Sequence, residues 1–510
     1  MDQELETLPT RPQDKFLVRP EDVQTFREVI KPYWKGKSLE DVLKKRYGKE
    51  ISALSTVVKY DQKDHAQGHI CPNVREWLEK GPAGLKEEAQ QHLLDCKEEQ
   101  RPFYESILLV MDGVCRFLMR YHDELQKEAK QHPDWKQDMI ETAEICKALS
   151  KRPAETFHEA VQSMWILFVV LHMESNASSF SPGRLDEILY PYYRKDRELG
   201  RLDAQRALDI IECLWLKFNQ IVYLRNKNSA KYFAGFPIGF NIAVGGQDVH
   251  GEDVCNELSF LFLLAQEHIG LPQPNLSVRL HRGTGDALLK KAVRVVAKGS
   301  GMPQFFNDEA IIAELEKLGI SHQDAMDYAI VGCVELTTQG NNLGWSDAAM
   351  FNLNKVLELT LHHGRCLLTN QQLGPDLGGL DTYESYEELE SAFDAMIDHF
   401  LQRMIPACEE VEKAHIDILP SPFLSSVIDD CMEQGMDVTR GGAHYNLSGI
   451  QMIQVANLAD SLAAIKALVY DRKSVTGEAL QYALEHNFAH DEMLRQRLLN
   501  KVDKYGNDVE

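Results

Sequence analysis

The stretch VGCVELTTQGN, residues 331–341, sets Cys333 and Glu335 two positions apart in a Gly-bounded, loop-like segment. A thiol that acts as a nucleophile needs a His, a cation or a helix N-terminus to ionise it. No His lies close in sequence, no second Cys completes a CxxC, and an adjacent carboxylate raises a thiol pKa rather than lowering it. The pair therefore suits a neutral thiol that gives up a hydrogen atom, with the carboxylate taking a proton from the same small substrate. In extended backbone, positions i and i+2 face one side. Cys333 and Glu335 would then project together from the end of the AIVG strand, with Val334 anchoring the opposite face. On spacing alone a plainer arrangement is the commoner one: a buried structural Cys beside a capping Glu.

The elements that must hold this pair read as α/β. Through residue 230 the pattern is mainly helical, with apolar residues three and four apart in EDVQTFREVI and RALDIIECLWLKFNQIV. From about residue 236 short apolar runs closed by Gly or Pro alternate with helices. FNIAVGG precedes EDVCNELSFLFLLAQEH, NLSVRL precedes DALLKKAVRVVAKG, and MPQFF precedes DEAIIAELEKLG. AIVG is followed by a long loop and then MFNLNKVLELTLHHG, helix returns from 384, and NLSGIQMIQVANLADSLAAIKALVYD reads as strand or loop feeding a helix. This rhythm predicts β-α units around parallel strands, in one large α/β domain over 1–510 with a helical layer (1–230) and a β-α portion (231–510). Sites in such folds gather at the carboxyl ends of the strands.

Composition narrows the function classes. With 44% hydrophobic and 26% charged residues among 510, the chain can bury a large core. A net charge of −23 lacks the basic footprint of a protein that binds nucleic acid or an anionic membrane surface. The ten cysteines are scattered, with no disulfide framework and no metal-like spacing. MDQELETLPTRPQDKF has no apolar signal-peptide core, and MWILFVVL (164–171) is too short to span a bilayer. The expectation is a cytoplasmic protein with buried, reduced thiols.

GCVE with the following GNNLGWSDAAMFNLNKVLELTL resembles the cysteine loop of the glycyl radical enzymes, the pyruvate formate-lyase-like family. GHICP (68–72), SPGRLDEILYPYY (181–193), GMPQFFNDE (301–309), GGAHYNLSGIQ (441–451), NLADSLAAIK (457–466) and KYGND match in order along nearly the whole chain. The resemblance implies a ten-stranded barrel of two parallel five-stranded half-sheets, with the cysteine loop threading its centre. It implies no bound metal or cofactor, but a protein glycyl radical installed by an activating enzyme that uses S-adenosylmethionine and a 4Fe-4S cluster. The radical passes to Cys333, the thiyl takes hydrogen from a hydroxyl-bearing carbon, Glu335 removes the hydroxyl proton, and a β leaving group departs.

VELTTQGNNLGWSDAAMFN is most similar to the isethionate sulfite-lyases, which cut a C–S bond to give sulfite and acetaldehyde. The alternatives are a diol or polyol (glycerol-type) dehydratase, or a catalytically silent barrel that only binds a partner. The resemblance also implies a homodimer and further site residues. Asp347 matches a substrate contact, or caps a helix starting near Ala348. Ser178 and Ser179 match a polar pair, or are turn residues. Lys63, Asp64, Gln67 and His69 lie near a substrate-binding loop where a cation and an amide would suit a sulfonate, with a structural histidine as the other assignment of His69, and Phe240 falls near the pocket wall, with core as its other assignment. No radical-glycine motif of the RVxGY kind follows KYGND, so the resemblance implies the main barrel portion of a longer enzyme, with the glycyl radical domain absent.

Overall fold

The computed structural model describes residues 2–63, 68–175, 177–235, 238–343 and 345–507. Up to residue 232 helices dominate, among them Val74–Asp95, Arg101–Glu128, Phe157–Glu174 and Ala204–Phe218. Ala204–Phe218 shows why: Asp203 caps it by accepting from the Arg206 N–H, and Ala207, Leu208, Ile211, Leu214, Trp215 and Phe218 form one buried stripe. Among the described residues, no helix is long and apolar enough to cross a membrane.

Nine strands are formed by the described residues: β1 (Val58–Tyr60), β2 (Gly183–Arg184), β3 (Asn241–Gly245), β4 (Asn275–Leu280), β5 (Gln304–Asn307), β6 (Tyr328–Val331), β7 (Glu335–Thr338), β8 (Trp345–Asn352) and β9 (Ser448–Ile453). They make a parallel four-stranded sheet ordered β2-β3-β4-β5, a three-stranded sheet ordered β1-β8-β9, and the β6-β7 hairpin. The alternation read in FNIAVGG, NLSVRL and MPQFF is thus borne out as β3, β4 and β5, each followed by its helix. The expected ten strands in two parallel half-sheets are not what these residues form: β1 and β8 pair antiparallel, as do β6 and β7. The long loop expected after AIVG holds β7 and β8 instead.

The chain divides into two compact units, each made of three separated segments. The first comprises 1–35, 65–346 and 415–448; the second comprises 36–64, 347–414 and 449–510. In the second, β1 and β8 (Val58 opposite Phe351, Tyr60 opposite Ala349) lie in a core with Val356, Leu359, Met396 and Phe400. In the first, the four parallel strands carry the hairpin. β3 is buried along its whole length, as expected for a parallel strand covered on both faces. Gly245 and Gly246 close it at φ of 71° and 86°, and a Cβ at Gly246 would stand 2.7 Å from Arg279 Nε.

Candidate active site

β6 is laid against the parallel sheet by contacts at both of its ends. At its start, the fully buried Arg279 grips Asp308 with Nε and Nη2 (2.9 and 3.0 Å) and donates to the carbonyls of Met326 and Tyr328. The Tyr328 ring lies 3.9 Å under the guanidinium, and its hydroxyl donates to Asp308 at 2.8 Å. Arg184, also buried, donates to Asp327 at 2.8 Å. These groups sit at the carboxyl ends of β2, β4 and β5. Just past the other end of β6, the Gly332 carbonyl accepts from Asn241 (3.1 Å) and Asn275 (3.0 Å), the first residues of β3 and β4. β6 therefore runs opposite to the sheet. Four positions separate Asn275 from Arg279 and Tyr328 from Gly332, about 13 Å in each case at strand rise. The small Ala243 and Ser277 face the hairpin between those ends and leave it room.

The hairpin tip lies accordingly at the amino ends of the parallel strands, not at the carboxyl ends where the alternation placed it. Val331 pairs with Glu335, so Gly332, Cys333 and Val334 form the turn. Gly332 takes φ of 59°, a left-handed conformation that reverses the chain. The expectation of extended backbone through Val334 fails here: Val334 is 54% exposed and anchors nothing. Cys333 is exposed at the tip.

Glu335 is buried on the side of the hairpin covered by residues 69–71. Its Oε2 lies 3.5 Å from His69 Nδ1 and accepts from the Val334 N–H at 3.1 Å. Burial pushes the carboxyl up, but the His69 side chain beside it and the backbone N–H groups of Glu335 and Val334 outweigh it, leaving the carboxyl below the usual range. The group is thus held ionised and ready to accept a proton. A Cβ at Gly332 would come within 2.5 Å of Glu335 Oε2 and 2.6 Å of His69 Nδ1, so only glycine admits both groups.

Among the other expected site residues, His69 is tied in place by its N–H, which donates to the Ser178 carbonyl at 3.0 Å. A Cβ at Gly68 would overlap that carbonyl at 1.8 Å. Ser178 thus meets the site through its backbone. Ser179, buried and at φ of 64°, donates from N and Oγ to the Ile238 carbonyl. Phe240 packs in an aromatic cluster with Phe168, His172 and Phe218. Its neighbour Asn241 faces Gly332, so alternation turns Phe240 away from the tip and into that aromatic core. Asp347 and Lys63 belong to the second unit. Asp347 is buried in β8 and accepts from Gln451 at 2.9 Å; the helix cap is Asn352, five residues later. Lys63 ends a short 3-10 turn. Asp64 and Gln67 lie outside the described residues.

A thiol on a hairpin finger laid across a parallel sheet, with an ionised carboxylate two residues on, defines the class: the chain belongs to the pyruvate formate lyase-like family, which matches residues 1–510. Its relatives are lyases and dehydratases of the glycyl radical kind. It is 31% identical to the (2S)-3-sulfopropanediol dehydratase of Klebsiella oxytoca, over 98% of this chain and 62% of that protein. It is 30% identical to the isethionate sulfite-lyase of Oleidesulfovibrio alaskensis, over 100% and 64%. The glycerol-bound B12-independent glycerol dehydratase from Clostridium butyricum superposes with a TM-score of 0.93 at 33% identity, covering 100% of this chain and 65% of that one. The chain thus spans under two thirds of the length of these proteins.

Asn241, Asn275, Arg279 and Asp308 escaped the reading of the sequence. The signal they leave is slight: NIAVG and NLSVRL both open on Asn, and Arg and Asp are the polar intrusions in otherwise apolar β-α junctions.

Proposed function

We propose that this protein is a glycyl radical lyase that eliminates a leaving group from the carbon next to a hydroxyl-bearing one, with isethionate as substrate. The observation that carries this is the ionised, buried Glu335 against Gly332, two residues from the exposed Cys333. Enzymes of this family draw their radical from a protein glycyl residue activated by a radical S-adenosylmethionine enzyme. At this site the Cys333 thiyl takes the hydrogen atom from the hydroxyl-bearing carbon and becomes a thiol. Glu335 takes the hydroxyl proton, the C–S bond breaks with its electron pair leaving on sulfite, and the product radical takes its hydrogen atom back from Cys333. Buried ionised Glu335 needs no water to reach the substrate proton. Ser178, Ser179 and His69, in the same unit as Cys333 and Glu335, are proposed to line the substrate's side of the tip.

A C–O-cleaving diol dehydratase is the second reading, favoured by the likeness to the glycerol-bound structure. Under it the same two residues act and water leaves. The test is anaerobic turnover of the activated full-length protein with isethionate, glycerol or 1,2-propanediol. Sulfite with acetaldehyde supports the first reading, and aldehyde from a diol without sulfite the second. Cys333→Ser should abolish turnover while the radical signal persists in electron paramagnetic resonance, and Glu335→Gln should slow it by about two to four orders of magnitude. A Gln variant within threefold of the parent removes the general base.

A further inference from the structure

We infer that Asn241 and Asn275 are positioning residues that together fix the Gly332–Cys333 peptide, and with it the direction in which Cys333 is presented. The two are register partners on adjacent parallel strands. Their side chains converge on one acceptor, the Gly332 carbonyl, at 3.1 and 3.0 Å. A buried carbonyl needs one partner to offset its lost hydration. Here both lone pairs are used, and a peptide oxygen held from two directions cannot rotate out of plane without losing one of them. That peptide joins Gly332 to Cys333, so fixing it fixes the Cys333 N–H and the origin of its side chain.

Asn241 is itself braced. It is fully buried, its Oδ1 accepts from Ser277 Oγ at 2.8 Å, and its N–H donates to Ser181 Oγ at 3.1 Å. The Gly332 carbonyl, which can only accept, sets the amide orientation: Nδ2 faces it, and Oδ1 then accepts from the Ser277 hydroxyl. Glu335 and His69 crowd the Gly332 Cα from its other side. The tip is thus held between two amides on one side and the Glu335 and His69 side chains on the other, all within the first unit.

The positional claim stands on this geometry; its meaning for turnover rests on the lyase reading. Two measurements separate them. In Asn275→Leu, Asn241→Leu and the double variant, branching at Cγ is kept and the donor is lost. Hydrogen exchange of the peptide bearing the Cys333, Val334 and Glu335 amides, followed by mass spectrometry, should speed up about fivefold in each single variant (about 1 kcal/mol per hydrogen bond, at about 1.4 kcal/mol per tenfold). The double variant should reach about 25-fold, while exchange along β3 and β4 stays as in the parent. Asn275 is half-buried, so its variant keeps the test open if Asn241→Leu does not fold. A tip within twofold of the parent in the double variant, or β3 and β4 accelerated as much as the tip, overturns the inference. In the activated protein the single variants should lower kcat with KM unchanged; raised KM at parental kcat overturns the role in turnover and leaves the exchange result untouched.

Discussion

Replacing Gly332 by alanine adds one methyl group between Glu335 and His69 while leaving every functional group in place. The added carbon would stand 2.5 Å from Glu335 Oε2 and 2.6 and 2.8 Å from His69 Nδ1 and Cε1, where ordinary contact begins at 3.4 Å. The carboxylate must therefore yield by about 0.9 Å. It is the oxygen that accepts from the Val334 N–H at 3.1 Å, so that move costs a hydrogen bond to a charged group, about 1.5–3 kcal/mol. Holding alanine at a φ of 59° adds about 1 kcal/mol. If the backbone stays, the first unit loses about 2–4 kcal/mol; if the tip swings to relieve the contact, Cys333 moves. The assay pairs urea unfolding with turnover of the activated protein. All six tryptophans (34, 77, 135, 165, 215 and 345) fall within the first unit, so their fluorescence follows the unit that carries the hairpin. We expect an earlier transition together with turnover lowered by at least about 10²-fold, the usual result of a 1 Å misplacement. Gly332→Asn separates the two costs: asparagine tolerates the left-handed conformation but carries the same Cβ, so it should behave like alanine if crowding dominates. An alanine variant with parental transition and parental turnover would refute the close packing of Gly332, Glu335 and His69.

Arg279→Met leaves the Asp308 carboxylate without its cation and the Met326 and Tyr328 carbonyls without their donor, in a site with no exposure, and should destabilise the first unit by about 3–5 kcal/mol in the same fluorescence assay; a loss below about 1 kcal/mol would show the cluster to be dispensable. His69→Asn fits the left-handed backbone at that position but removes the imidazole that lowers Glu335, which leaves burial as the dominant influence on Glu335 and raises its carboxyl. In the parent the depressed carboxyl contributes stability above its unfolded pKa, near about 4.3, and loses it as pH falls through the lower folded value. In the variant the sign reverses, with the contribution present below that value and lost as pH rises, and the acidic limb of the rate profile should move to higher pH; profiles that superimpose would remove His69 from the control of Glu335.

Strands with a private signature were legible in the sequence. NLSVRL is β4 without a residue added, because its aliphatic alternation is closed by Pro before and His-Arg-Gly after. β7 was not legible: ELTTQGNN is polar and flat in pattern, and it becomes a strand only because Gly332 reverses the chain and returns it along β6. The direction of β6 was equally hidden, since it is set by Arg279 and Asp308 at one end and Asn241 and Asn275 at the other, residues up to 91 positions from the tip. Cys333 and Glu335 were legible as a pair by type and spacing. Their geometry was not, because two residues across a tight turn do not share a face as they would in a strand. Asp347 looked like a helix start because SDAA offers a capping side chain; pairing with β1 carries the strand five residues further to Asn352.

The segmentation of the two units bears on how the chain is made. It passes from one unit to the other five times, at residues 35, 64, 346, 414 and 448. A ribosome releasing the amino terminus first delivers the hairpin and the whole parallel sheet about 100 residues before the last part of the first unit, 415–448. That late segment supplies the Val427 carbonyl for the Asn73 N–H and the Tyr445 strand contacts for Asn341 and Leu343. At about 5–20 residues per second the nascent sheet waits roughly 5–20 s for them. Throughout that interval the apolar helix containing MWILFVVL is held by an unfinished unit. Slowing translation between residues 347 and 414 would therefore lengthen the interval in which that unit is incomplete, without altering a single native contact.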